Sequence, residues 1–166
     1  MRAAVTSYFT AANIPYVGTI YSARPTVVNE QDYEQTLMGQ IVASTPNGSS
    51  AVLVVNIPND DRQRRADTGR GAVNDSRIHD VVMEIFFACV AGDATQAQTD
   101  YDGIVDAMVT LIRHDPTMGG GSWSAGEYTT GISHRQSMPY TDEDGLIVFI
   151  PGIVRFEAWE WIAGAA

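Results

Sequence analysis

"RIHDVVMEIFFACVAGDATQAQTDYDGIVDAMVTLIRHDP", residues 77–116, changes its periodicity once, near Gly92, and that change sets the fold class. Before it, Val81, Met83, Ile85, Phe87 and Cys89 alternate with Val82, Phe86 and Val90. This is the two-residue period of a strand with two apolar faces. Such a strand is central and covered on both sides, with Glu84 the exception near an edge of that cover. After Gly92, Ala97, Tyr101, Ile104, Val105, Met108, Leu111 and Ile112 form the stripe of an amphipathic helix. Asp93 stands as its N-cap with Gln96 three positions on, a variant of the capping box. Asp100, Asp102 and Asp106 fall off the stripe, and Arg113 and His114 suit the negative end of the helix dipole. Asp115-Pro116 stops it. About twenty residues make a helix of roughly 30 Å, enough to cross a sheet.

The flanking segments complete the pattern. Ala4, Val5, Tyr8, Phe9 and Ala12 lie at helical spacing, and Asn13 before Ile14-Pro15 ends that helix. "YVGTIYSARPTVV" reads as extended, "EQDYEQTLM" (30–38) as a short helix, and "SSAVLVVNIP" (49–58) as a buried strand. Beyond the long helix, "TMGGGSWSAG" reads as a glycine-rich loop. "EYTTGISHRQSMP" and "LIVFIPGIVRFEAWEW" read as strands, the second interrupted at Pro151-Gly152. The expected fold is a single α+β domain over residues 1–166. Its mainly antiparallel sheet has its helices, the long one and the N-terminal one among them, packed on one face.

Composition narrows the function. The 166 residues are 45% hydrophobic and 18% charged, the balance of a globular domain. Ten basic residues, all arginine, face twenty acidic ones, and the net charge of -10 argues against a general nucleic-acid binder. No apolar run is long enough to span a membrane, and the first fifteen residues lack a signal peptide's apolar core. Cys89 is the single cysteine, so no disulfide framework exists; inside its apolar run it reads as a buried, inert thiol.

Catalytic and metal-binding readings fail on spacing. "TMGGGSW" lacks the Lys-Ser/Thr ending of a phosphate-binding loop, and no Gly-x-Ser-x-Gly turn presents a nucleophile. His79, His114 and His134 stand singly, without a second ligand at metal spacing. Asp142-Glu143-Asp144 reads as a solvated turn, because calcium loops alternate their oxygen ligands. The expectation is therefore no catalytic residue, no cofactor and no metal.

What remains is surface. Arg62, Arg64, Arg65, Arg70 and Arg77, half of the chain's positive charge, fall within "NDDRQRRADTGRGAVNDSR", residues 59–77. The segment 59–76 has no apolar period and reads as a long loop, a class that is usually functional or disordered. Arginine makes bidentate contacts with carboxylates, and the most available acidic partner is a second copy of this chain. A merely solvated loop is the plainer alternative. In "RFEAWEW", Trp159 and Trp161 share a strand face with Arg155 and Glu157. Aromatics and arginine are enriched at the centres of interfaces. Core packing accounts for the tryptophans equally well.

Three stretches taken together, "RAAVTSYFTAANIPYVGTIYSARP", "GDATQAQTDYDGIVDAMVTLIRHDPTMGGGSWSAGE" and "RFEAWEW", resemble the tail terminator proteins of long-tailed (siphophage-type) bacteriophages. The likeness covers most of the chain in order, through short structural motifs. It implies an α+β subunit of a homo-hexameric ring that caps the tail tube and stops its polymerisation. The ring's partners would be the tail tube protein and a head-closure or neck protein. In such relatives a long loop between the first core strands takes part in ring or partner contacts, the position that residues 59–76 occupy here. Genomic DNA would pass through without specific binding, and an acidic wall repels phosphate. The chain would belong to the head-proximal end of the virion tail, after assembly in the host cytoplasm. A head-closure or neck ring protein is the alternative, and a small-ligand enzyme with an unrecognised site is a more distant one.

Overall fold

β4 (Asp75–Val90) and β8 (Ile147–Ile162) run antiparallel in unbroken register, from Asp75 opposite Ile162 to Val90 opposite Ile147, and everything else is built on this ribbon. At about 3.3 Å per residue, sixteen residues make it roughly 50 Å long. The structure is a computed structural model that describes residues 1–25, 30–44, 47–57, 62–65, 75–120, 123–125 and 131–162. For residues 30–35, 44, 62–65, 75–78, 123 and 161–162 it describes the backbone only.

The remaining elements are α1 (Arg2–Ala12), β1 (Val17–Tyr21), α2 (Glu30–Ser44), β2 (Gly48–Asn56), β3 (Arg62–Arg65), α3 (Ala94–His114), β5 (Trp123–Ala125), β6 (Ser133–Gln136) and β7 (Tyr140–Thr141). They form an α+β domain on one eight-stranded, mostly antiparallel sheet. β2 pairs with the inner part of β4, and β1 pairs with β2 in parallel. β3 pairs with the outer end of β4, while β5, β6 and β7 share the far edge of β8.

Alternation along β4 sorts the core into two layers. Val81, Met83, Ile85, Phe87 and Cys89 join Val5 and Phe9 of α1 and Ala97, Tyr101, Ile104, Val105, Met108 and Ile112 of α3. Phe86 and Ala88 join Val52, Val54 and Phe149 under Leu37, Met38 and Ile41 of α2. Each large side chain buried this way contributes about 1.5–3 kcal/mol, so the two stripes on α1 and α3 anchor the first layer. Asp93 caps α3 by accepting from the Gln96 backbone N–H at 2.7 Å. α1 ends at Asn13 in the left-handed conformation (φ 50°).

Three sequence expectations change. The helices do not all pack on one face, since α2 covers the other. β1 and β2 are adjacent and parallel, so the chain between them must cross over one face of the sheet, and α2 is that crossover. It is also longer than residues 30–38, reaching Ser44. The second change is at Pro151-Gly152, where β8 continues without interruption. The Pro151 carbonyl accepts from the Ser137 N–H at 2.9 Å, on the side where residues 137–139 separate β6 from β7. A proline removes no ladder bond where the neighbouring strand is itself broken. Third, the glycine-rich stretch "TMGGGSWSAG" contains strand β5.

Glu84 ends the cover of α2 as a buried carboxylate, 5% exposed. It accepts from Arg24 Nε at 2.9 Å and Nη2 at 2.5 Å, and from Asn56 Nδ2 at 3.3 Å. A charge removed from water needs such partners.

Candidate interaction surface

The outer end of the ribbon is where the structure departs most from the sequence expectation. Residues 59–76 are not simply a loop. Arg62–Arg65 form strand β3, aligned as Arg62 with Ile78, Gln63 with Arg77, Arg64 with Ser76 and Arg65 with Asp75. Asp75 and Ser76 already belong to β4. Backbone hydrogen bonds make this strand, so its side chains need no apolar alternation. Arg70 lies outside the described residues.

The register gathers most of the expected interface residues. Ile78 sits between Arg62 and Trp159, and Trp159 is aligned with Ser124 of β5. Ser76 sits between Arg64 and Trp161, and Arg77 between Gln63 and Glu160. Arg62, Arg64, Arg65, Arg77, Trp159 and Trp161 therefore occupy one end of the sheet, with Arg155 a few residues inward along β8. Trp159 is not an ordinary core residue: it is partly exposed, yet its indole Nε1–H is buried with no hydrogen-bond partner among the described residues.

Inward of this end, one ion pair and one imidazole–carboxylate contact lock the ribbon diagonally. Arg155 Nη2 donates to Asp80 Oδ2 at 2.7 Å, and His79 Nε2 lies 2.8 Å from Glu160 Oε2. Asp80 is opposite Glu157, and His79 is opposite Ala158, so each pair spans a diagonal two positions along β8. Asp80 and Arg155 lie on the sheet face of α2, beyond the rows that α2 covers. A cleft of about 210 Å³ opens there, lined by Asp80, Gly131, Ser133, Arg155, Phe156 and Glu157. Asp80 Oδ1 is buried and without a hydrogen-bond partner among the described residues. Sequence reading gave neither the Asp80–Arg155 nor the His79–Glu160 pairing. Partners 75 and 81 positions apart leave no local signal.

The arginine segment is mixed rather than cationic, because Asp60, Asp61, Asp67 and Asp75 lie within it. β3 is an edge strand among the described residues, and three arginines in its four residues also have a defensive reading, since charged edges discourage unwanted strand pairing. That role and selective docking on a carboxylate-bearing partner are compatible.

Elsewhere, titratable groups serve packing. Burial pushes the Asp100 carboxyl up, but hydrogen bonds from Ser49, Gln96 and Tyr16 outweigh it and hold the group below the usual carboxylate range. Ser49 Oγ donates at 2.5 Å and Gln96 Nε2 at 2.7 Å, tying β2 to α3. Burial, and then the charge of Asp102, pushes the Tyr101 phenol well above its ordinary value. Its hydroxyl lies 3.0 Å from His134 Nε2. Among the described residues no three His, Cys, Asp or Glu side chains converge to hold a metal, and no helix is long and apolar enough to cross a membrane.

Compared with models of known protein families the chain matches none, and a search of characterised proteins finds no relative.

Proposed function

We propose that this chain is a non-enzymatic virion protein, a tail terminator that assembles as a six-membered ring on the end of a long-tailed phage's tail tube. The observation that carries the reading is the ribbon β4–β8. A single α+β body extends a sheet of which α2 covers only the inner part on its face, and it gathers arginines and tryptophans at the outer end. Interfaces concentrate these residue types, and sheet surface beyond its own core cover is available to a partner. The resemblance of the sequence to terminators supplies the identity of that partner: copies of the chain itself, the tail tube protein below and a neck protein above.

Function by occupancy follows. A tube subunit that polymerises renews the surface it consumes, so growth stops when a ring binds the end without presenting that surface again. The task requires no bond-making step. The net charge of -10 suits a ring through which DNA slides, because like charge keeps phosphate from adhering.

Removing the gene from the phage tests this reading. The expected result is filled heads and unjoined tails whose tubes are overlong or variable in length, with uniform length and infectivity restored in trans. Tails of normal length that only fail to attach would make the protein a neck component and defeat the terminator reading.

A further inference from the structure

Where the cover of α2 ends, the sheet face presents guanidinium groups around an apolar floor. Two neighbouring rows cross β4, β8 and β6 there: Val82, Arg155 and Ser133 in one, Glu84, Ile153 and Arg135 in the other. Arg24, from the chain before α2, bonds to Glu84. Of the five arginines outside residues 59–77, three therefore meet on this face. The Arg24 and Arg155 side chains are 51% exposed although each holds a carboxylate, Glu84 and Asp80. Arg135 is exposed and makes no ion pair among the described residues. Glu84 is buried, and Glu157, one row outward, already has a partner. Val82 and Ile153, diagonal to each other between the arginines, are partly exposed.

The opposite chemistry stands at the inner end of β8. The turn from β7 into β8 is held by Asp142, whose Oδ1 accepts from the Ile147 N–H at 2.9 Å and whose carbonyl accepts from the Gly145 N–H at 3.1 Å. Glu143 and Asp144 are exposed at its tip beside Leu146, itself 61% exposed. Three of the four exposed large hydrophobic side chains among the described residues, Met138, Tyr140 and Leu146, fall within these nine positions. A solvated turn accounts for the carboxylates, but exposed apolar groups gathered in one place mark an interaction surface.

We propose that the β7–β8 turn of one copy docks on this face of the next, with Leu146 seated on Val82 and Ile153 and with Glu143 and Asp144 among Arg24, Arg135 and Arg155. The inference rests on the ring reading above for its biological setting, but the contact itself is defined by this chain alone. Charge complementarity selects the occupant. An apolar floor rimmed by guanidinium groups meets an apolar tip rimmed by carboxylates, and the two join through charge-assisted bonds. Within one subunit they cannot meet, because Ile147 and Ile153 stand six residues apart on one unbroken strand, about 20 Å. The bonds of Asp142 fix the turn beforehand, so docking orders little new chain. Tip and face are different surfaces of the subunit, so the contact is heterologous and propagates around a ring.

Complementation between two variants tests the contact without tails or tubes. The tip variant carries Glu143→Ser, Asp144→Ser and Leu146→Ser; the face variant carries Arg135→Glu. All four positions are exposed, and circular dichroism and thermal melting establish that both variants fold. Sedimentation should show wild-type self-association, and either variant alone should associate about tenfold to a hundredfold more weakly. An equimolar mixture should form a heterodimer, because one intact tip then meets one intact face. Wild-type protein that stays monomeric at every concentration would leave the face to a different protein and overturn the proposal. A variant that associates normally, or a mixture that gains nothing, would overturn it equally. A heterodimer in the mixture together with normal-length tails in the gene deletion would retain this contact and discard the terminator reading.

Discussion

A methyl group added at Gly152 should cost the fold about 2–3 kcal/mol. A Cβ built there falls 1.8 Å from Tyr101 Oη, 3.0 Å from Tyr101 Cζ and 3.1 Å from the backbone carbonyl of Arg135. Tyr101 is fully buried in α3 and its hydroxyl is held 3.0 Å from His134 Nε2. The ring must retreat by more than about 1 Å to restore van der Waals contact, and the carbonyl behind belongs to a paired strand. Overpacking of this kind costs about 1–3 kcal/mol. Loss of the bond to His134 adds about 0.5–1.5 kcal/mol. Lower entropy of the unfolded chain returns about 0.4–1 kcal/mol. For a domain of this size each kcal/mol lowers Tm by about 2–4 °C, so Gly152→Ala should melt roughly 4–12 °C below wild type. Calorimetry measures it. Tyr101→Phe alone should cost about 1 kcal/mol, and it removes the atom that clashes most. In the Tyr101→Phe background, Gly152→Ala should therefore cost less than half of what it costs in the wild type. A neutral Gly152→Ala, or the same penalty in both backgrounds, would refute the close approach of α3 to β8.

Two further predictions follow from other parts of the molecule. Asp100 has its carboxyl held below the usual range, so its stabilising contribution is present above the ordinary carboxylate pKa and fades as pH falls through the depressed folded value. Asp100→Asn should flatten the acid limb of a melting-temperature-versus-pH curve, whereas an unchanged acid limb would contradict the network with Ser49, Gln96 and Tyr16. Replacing Arg62, Arg64 and Arg65 with Ser should change folding stability by less than about 1 kcal/mol, because edge-strand charges contribute little to a fold. The same variant should weaken tail assembly in a complementation assay, and wild-type assembly should weaken with added salt. Normal assembly by the variant would make the arginines idle.

The central architecture was legible where side chains carry a period. Val81 to Val90 announced a strand with two apolar faces, and Ala97 to Ile112 a helix able to cover one of them. The second face asked for a second cover. Leu37, Met38 and Ile41 provide it, but α2 has a short, weak apolar stripe, and its side of the sheet follows from the parallel pairing of β1 with β2. β3 was illegible because Arg-Gln-Arg-Arg has no apolar alternation, and only its backbone pairing with β4 makes it a strand. Pro151 misled in the opposite sense, since the ladder gap that tolerates it lies in residues 137–139 of the neighbouring edge and not in the strand that carries the proline. Of the interaction surface, the arginines and tryptophans were visible as residue types, while Asp80 and its cleft depended on β4 meeting β8.

Imaging of intact virions at sufficient detail to trace this chain tests the central claim most directly. The account predicts six copies in a closed ring at the head-proximal end of the tail tube, with the outer ribbon end of each copy buried against a neighbour. A monomer or a two-fold dimer in the virion, or this chain located anywhere other than the end of the tube, would contradict it.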